Sequence, residues 1–171
     1  MKHSINISEE KFAELIDENQ GRLRHLCRVY AERVQEEKDL FQEIIIQIWR
    51  SLPSFKGNAK LSTWMYRIGV NTAISHLRKK KTRQDYYASH KEEQEAKTAQ
   101  QYTPAGEEED EQTQKLYQTI SKLNVSEKAM ITMYMDDFSC AEIAFVTGIT
   151  ENYVGVKLNR IKKKLTKLIG E

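Results

Sequence analysis

The sequence predicts an all-α protein of two small helical modules joined by a flexible acidic linker. Three observations predict it. Breakers are scarce, with two prolines (Pro53, Pro104) and seven glycines in 171 residues, whereas a sheet-based fold needs a turn every ~8–12 residues. Large apolar residues recur at spacings of three and four in the first and last thirds of the chain. Between them, residues 84–112 are Gln/Glu-rich and poor in large aliphatics, so they bury too little apolar surface to offset the entropy of ordering.

Phe12, Leu15 and Ile16 open an amphipathic pattern that Leu23, Leu26, Val29 and Tyr30 continue. Leu40, Phe41, Ile44, Ile45, Ile48, Trp49 and Leu52 then form an i, i+4, i+8 stripe. Its β-branched content makes strand the competitor, but the stripe persists on one face for thirteen residues, which favours helix. Pro53 ends it. After a loop over 54–60 with Gly57 and Asn58, Ser62 or Thr63 caps a long helix through Trp64, Ile68, Ala73, Ile74 and Leu77. That helix ends in Arg78-Lys79-Lys80-Lys81, residues that suit a helix C-terminus through the macrodipole. Beyond the linker, Leu116, Ile120 and Leu123 mark one helix ending near Asn124. Ser126-Glu127 opens another through Met130, Ile131, Met133 and Tyr134, and two more lie between Ser139 and Ile169. The expected division is 1–83, 84–112 and 113–171.

Several function classes are excluded. Cys27 and Cys140 have no partner spacing, and His3, His25, His76 and His90 form no HxxxH or HxH pair, so neither a disulfide framework nor a metal site is expected. No phosphate-cradling glycine loop or nucleophile elbow is present. An enzyme and a cofactor are therefore not expected. The longest apolar run, Ile44–Ile46, is far too short for a membrane span, and no signal-peptide pattern opens the chain. A soluble, cytoplasmic protein without membrane insertion is the expectation.

Charge is segregated. Met1–Trp49 carries a net −3, Arg50–Arg83 a net +9 with no acid at all, Gln84–Lys115 a net −6, and Leu116–Glu171 a net +2. Six of the last block's eight basic residues crowd into Lys157–Lys167. Two basic surfaces separated by an acidic segment suggest nucleic acid as the partner.

The most specific local pattern is Ser139–Leu158. Ser139 can cap a short helix with Ile143 and Ala144, the alanine being small where helices cross. Gly148 supplies the positive φ of a tight turn, Ile149 plugs the space between helices, and Thr150 caps a second helix with inner face Val154, Leu158, Ile161 and Leu165. This is a helix-turn-helix, whose second helix enters the major groove N-terminus first. Its expected DNA-facing residues are Thr150, Glu151, Asn152, Tyr153, Val156, Lys157 and Arg160. Lys162, Lys163, Lys164 and Lys167 are expected on phosphates. An ordinary helical hairpin with a solvated basic end is the competing reading. Gly155 inside the second helix costs about 1 kcal/mol relative to alanine; it either permits close approach to DNA or is tolerated.

In the basic block, Phe55, Asn58, Trp64, Tyr66 and Asn71 accompany the positive charges. Unstacked bases need this combination, charge for the backbone and rings for stacking. Trp64 and Tyr66 have core packing as the alternative. Here the sequence resembles a family. Glu37-Lys-Asp-Leu-Phe-Gln-Glu43 with Ile48-Trp49 resembles the core-polymerase-binding segment of bacterial sigma factors. Leu61–Arg78 resembles their promoter-melting and −10-recognition helix, and Glu142-Ile-Ala144, Gly148-Ile149, Val154 and Leu158 their −35-reading module. Lacking a middle domain, the chain is similar to the extracytoplasmic-function sigma factors.

The resemblance implies that Asp39, Gln42, Glu43 and Gln47, a polar helix face, dock on the coiled coil of the polymerase largest subunit, with the second-subunit flap as a further contact. It implies that Lys56, Asn58 and Lys60 line a pocket for a flipped −10 base, with Arg67 and Asn71 on the helix beneath. Trp64, Tyr66, Arg78 and Lys79 would complete the −10 surface. Promoter DNA and an anti-sigma factor are the other implied partners. The family often has a basic residue and a serine where this chain has Gly155 and Val156, so the resemblance does not fix its −35 base preference.

The two DNA elements lie roughly 70 Å apart. A linker of this length reaches about 100 Å extended and averages about 30 Å as free coil, so something must hold it extended, and core polymerase is the guide that the resemblance implies. The −6 block also suggests that the linker folds back on the basic faces in the free protein. The alternative function is a stand-alone helix-turn-helix repressor or activator, which leaves the Arg50–Arg83 block and the Asp-Leu-Phe-Gln-Glu segment without a purpose.

Overall fold

The computed structural model describes residues 7–89 and 110–171, and among them every regular element is a helix. Helix α1, Glu9–Tyr30, starts where Ser8 Oγ accepts the Lys11 N–H at 3.3 Å, with Glu9 and Glu10 against the positive end of the helix dipole. It joins into one helix the two apolar segments read around Phe12 and Leu23. Helix α2, Val34–Ser51, buries Leu40, Ile44 and Ile48, the positions that argued against a strand. A 3-10 turn over Leu52–Ser54 carries Pro53 and leads into the loop.

Helix α3, Leu61–Ser89, departs from the sequence reading in two ways. Neither Ser62 nor Thr63 is its cap: the first helical bond runs from the Trp64 N–H to the Lys60 carbonyl, which puts Thr63 inside the first turn. The helix also continues past residue 83, so Arg78–Lys81 lies mid-helix and the macrodipole does not account for it. Residues 81–89 are all exposed, so no apolar face marks this extension in the sequence; its turns propagate from a helix already nucleated and buried over Thr63–Ala73. Residues 90–109, where most of the expected linker falls, including Pro104-Ala105-Gly106, lie outside the described residues, as does the linker's proposed fold-back.

In the second module Asp110 caps α4 (Glu111–Ser121) by accepting the Thr113 N–H at 2.7 Å. Asn124, not Ser126, opens α5 (Val125–Met135), in a capping box with Glu127. A second box, Ser139 with Glu142, opens α6 (Cys140–Thr147). Thr150 caps α7 (Glu151–Gly170).

Helices α1, α2 and α3 pack together around Leu23, Leu26, Leu40, Ile44, Met65 and Val70. Each fully buried aliphatic contributes about 1.5–3 kcal/mol. Gly69 is what lets α3 approach so closely. A Cβ there would come within 3.0 Å of Leu26 Cδ2 and 3.4 Å of Leu23 Cδ2. In the second module Met130, Met133, Ile143, Val154, Leu158 and Ile161 do the same work.

The two modules also pack on each other, so the described core is continuous. Helix α1 lies against α4 and α5, and α3 against α6. Tyr30 donates its hydroxyl to the Val125 carbonyl at 2.7 Å. The Nδ1 of His25 lies 2.9 and 3.0 Å from the two carboxylate oxygens of Asp136. Tyr66 and Phe138 rings sit 4.8 Å apart, with the Arg22 guanidinium 4.2 Å from the Phe138 centroid. Sequence reading gave no sign of this contact, because each of these side chains also makes sense inside its own module.

Candidate nucleic-acid interface

The helix-turn-helix is built by short-range signals that the structure places where the spacing put them. Ser139 Oγ accepts the Glu142 N–H at 3.1 Å, while Glu142 Oε2 accepts the Ser139 N–H at 2.8 Å. Gly148 sits at φ 75°, ψ 15°, the left-handed conformation that stops α6 and turns the chain. Thr150 Oγ1 then accepts the Tyr153 N–H at 3.3 Å and starts α7. Val154, Leu158, Ile161 and Leu165 are buried, which turns the opposite face outward. Thr150, Glu151, Asn152, Tyr153, Val156 and Arg160 are all exposed on that face, with Lys157 partly covered. The Lys157 ammonium lies 5.5 Å from the Tyr153 ring centroid.

The basic tail of α7 is less uniform than its sequence suggests. Lys163 and Lys167 are exposed. Lys164 donates to Glu127 Oε2 at 2.9 Å, and Lys162 sits 3.8 Å from the Tyr134 ring centroid. Partial burial pushes the Glu127 carboxyl up, but Lys164 and the Asn124 N–H outweigh it and hold the carboxyl below its ordinary value. Lys164 thus has a protein partner, and a phosphate would have to displace Glu127 to use it.

On the first module, Lys56, Asn58 and Lys60 are exposed on the loop between α2 and α3. Phe55 and Trp64 stack at 5.0 Å with a 54° tilt, bracing that loop against the first turn of α3. Trp64 is half-buried, with part of its ring surface open. Arg67, Asn71, Arg78 and Lys79 are exposed on α3.

Tyr66 is a correction. It is 1% exposed, and burial pushes its hydroxyl well above the ordinary value. Its ring packs on Phe138, so it belongs to the core between the modules and offers no face to a base in this arrangement. Its hydroxyl is buried without a hydrogen-bond partner.

Asp39 and Gln42 are exposed on α2, and Glu43 and Gln47 half-buried, all four off the buried Leu40–Ile44–Ile48 stripe. Asp39 accepts a bond from Gln35 Nε2 at 2.9 Å. Glu43 lies 4.0 Å from the Lys79 ammonium, which joins the edge of the acidic face to the edge of the basic one.

Sequence reasoning missed the junction of α3 with α6. Thr63 Oγ1 donates to Glu142 Oε1 at 3.1 Å, the Lys60 ammonium is 3.8 Å from the same oxygen, and the Arg67 guanidinium is 5.1 Å from the Phe145 ring. Of this junction, only Ser139 as the cap that starts α6 was legible in advance; the capping box through Glu142 was not. Among the described residues no group of histidine, cysteine or acidic side chains is arranged to hold a metal, and no helix is long and apolar enough to cross a membrane.

Residues 15–83 match the family model described as sigma-70 region 2, and residues 113–165 match sigma-70 region 4. Between them these cover most of the chain. Similar proteins include the ECF RNA polymerase sigma factor SigW of Bacillus subtilis, 38% identical over 46% of this chain and 41% of that protein. The ECF RNA polymerase sigma factor SigM of Mycobacterium tuberculosis is 24% identical over 93% of this chain and 77% of its own length. The chain therefore spans less than half of SigW and about three quarters of SigM. Among solved structures, the fold is similar to that of the sigma factor RpoE in complex with the anti-sigma factor NepR from Bartonella quintana. That match has a TM-score of 0.76 at 17% identity, covering 94% of this chain and 98% of that one.

Proposed function

Because the chain belongs to the sigma-70 family, in its extracytoplasmic-function branch, we propose that it binds core RNA polymerase and directs initiation at promoters read through two elements. The observation that carries this reading is the solvent-facing start of α7 on one module together with a second basic surface, Lys56–Lys60 and α3, on the other.

Each surface has its chemistry. On α7, Asn152 and Arg160 are suited to hydrogen bonds with base edges at the −35 element, and Val156 and Tyr153 to apolar contact with a thymine methyl. Lys157 and Lys163 suit phosphates, which set register rather than sequence. On the first module, the loop Lys56–Lys60 with Trp64, Arg67 and Asn71 suits a base extruded from the −10 element. Extrusion costs a few kcal/mol, which stacking on a half-open indole and charge on the backbone offset. Arg78 and Lys79 extend that surface. Asp39, Gln42, Glu43 and Gln47 form the polar α2 face that docks on polymerase.

The functional division is 1–83 and 113–171 around a linker over 84–112, with the last turns of α3 projecting into it. Sigma factors are non-catalytic, and this chain performs no chemistry of its own. It works in the cytoplasm, with an anti-sigma factor as a regulatory partner. A stand-alone repressor explains α6 and α7 but not the region 2 match. Run-off transcription with core polymerase on a genomic promoter library tests the proposal. Discrete transcripts sharing an upstream motif are expected. Operator binding without any polymerase-dependent transcript would overturn it and favour the repressor.

A further inference from the structure

We propose that Lys60 and Thr63, at the start of α3, form a phosphate-binding subsite for promoter DNA, and that in the closed molecule the carboxylate of Glu142 fills it. The inference rests on the promoter-binding reading and adds a specific competition to it.

The subsite is made of a hydroxyl and an ammonium converging on one oxygen. Thr63 Oγ1 donates to Glu142 Oε1 at 3.1 Å, and the Lys60 ammonium stands 3.8 Å from that atom. Thr63 is only 1% exposed and its hydroxyl is bonded to the Glu142 side chain of α6, while Lys60 keeps most of its side chain in solvent. A hydroxyl and a flexible cation beside the positive end of a long helix are what a phosphodiester oxygen uses. A carboxylate is the nearest protein equivalent of that oxygen.

Glu142 is held for this role by its own module. Its other oxygen accepts the Ser139 N–H at 2.8 Å in the capping box, which aims Oε1 across the junction. Partial burial pushes the carboxyl up, yet the Ser139 and Thr63 bonds and nearby Lys60 hold it below its ordinary 4.5. It therefore stays an anion at any physiological pH.

The occupancy is exclusive. A phosphate and the Glu142 carboxylate are both negative and cannot share one hydroxyl at bonding distance. The elements read by α3 and α7 also lie roughly 70 Å apart, whereas α3 touches α6 here. Docking on both elements takes Glu142 out of the subsite. The closed form also buries the Tyr66 hydroxyl, one turn along α3, without a partner, and such a group is relieved when water reaches it.

The test measures binding of the free, full-length protein to a short forked duplex of mixed sequence at low salt, by fluorescence anisotropy. Glu142→Gln keeps the capping box, which accepts glutamine equally, but removes the competing charge. It is expected to tighten binding about fivefold. Asp137→Asn makes the same change in net charge away from the subsite, at an exposed position with φ 61° that asparagine tolerates. It is expected to give a much smaller gain.

In the Glu142→Gln background, Thr63→Val should weaken binding several-fold and Thr63→Ser restore it, and Lys60→Ala should lower the salt slope by about one. Equal gains from Glu142→Gln and Asp137→Asn, or an unchanged affinity in Thr63→Val, would overturn the subsite. Run-off transcription by the reconstituted holoenzyme separates the two failures. Transcripts with no gain from Glu142→Gln sink only this inference, whereas no transcript from any promoter sinks the sigma-factor reading.

Discussion

The carboxylate of Glu36 collects donors where the start of α2 meets the far part of α3. Lys80 Nζ lies 3.1 Å and His76 Nε2 3.1 Å from one of its oxygens, and the Glu32 N–H donates to the other at 3.0 Å. Lys80 reaches Glu32 as well, at 2.8 Å. Partial burial pushes the Glu36 carboxyl up, but these donors hold it below its ordinary 4.5, and Lys80 is raised above 10.5 although burial opposes it. A lowered acid stabilises the fold fully above 4.5 and loses that contribution as pH falls through its lowered value. A raised base stabilises fully below 10.5 and loses it as pH rises through its raised value. The network is therefore complete between those limits. Glu36→Gln should cost about 1 kcal/mol at neutral pH, the cluster being partly screened by solvent. In urea titrations the gap from wild type should close on acidification; a gap that persists unchanged at pH 3 would contradict this. Gly148, at φ 75°, is the residue that makes the turn: Gly148→Ala should cost about 1–2 kcal/mol in the same assay.

At the scale of the element, α7 separates charges that look alike in sequence. Lys163 is exposed, whereas Lys164 is held by Glu127. Lys163→Ala should reduce the salt slope of promoter binding by about one, and Lys164→Ala should change it less while lowering thermal stability slightly. Equal slopes for the two variants would mean that Glu127 releases Lys164 on binding. Gly155 is the other test of this helix. A Cβ there meets nothing within 4 Å, so packing within the protein does not require glycine. Gly155→Ala should raise stability by about 1 kcal/mol. If promoter affinity falls at the same time, the glycine serves approach of the DNA backbone; if affinity holds, it is merely tolerated.

At the scale of the whole molecule, the contact between modules is the new feature. Phe138 is 5% exposed between Tyr66 and Arg22, and its removal opens a void at the centre of the junction. Phe138→Ala should destabilise the closed form by about 3–5 kcal/mol. Calorimetry should then resolve two transitions in place of one, with a larger radius of gyration by small-angle scattering. A single transition at unchanged radius would mean that the remaining contacts, His25 with Asp136 and Tyr30 with the Val125 carbonyl, suffice to hold the modules together.

What the sequence determined by itself is what short-range physics decides. The apolar stripe of α2, the stop at Pro53, the Ser139 and Thr150 caps, the turn at Gly148 and the inner face of α7 all follow from residues close along the chain, within one helix or the turn that bounds it. So did the charge map and the outward residues of α7. Tertiary structure alone decided whether Tyr66 faces a base or the core, whether Lys164 is free, and how far α3 runs, since each outcome depends on partners distant in sequence. Thr63 and Glu142 are 79 residues apart, and His25 and Asp136 are 111 apart. No periodicity encodes a meeting at that separation. It arises only when two finished surfaces fit, because desolvation and hydrogen bonding act on proximity in space, whatever the distance along the chain.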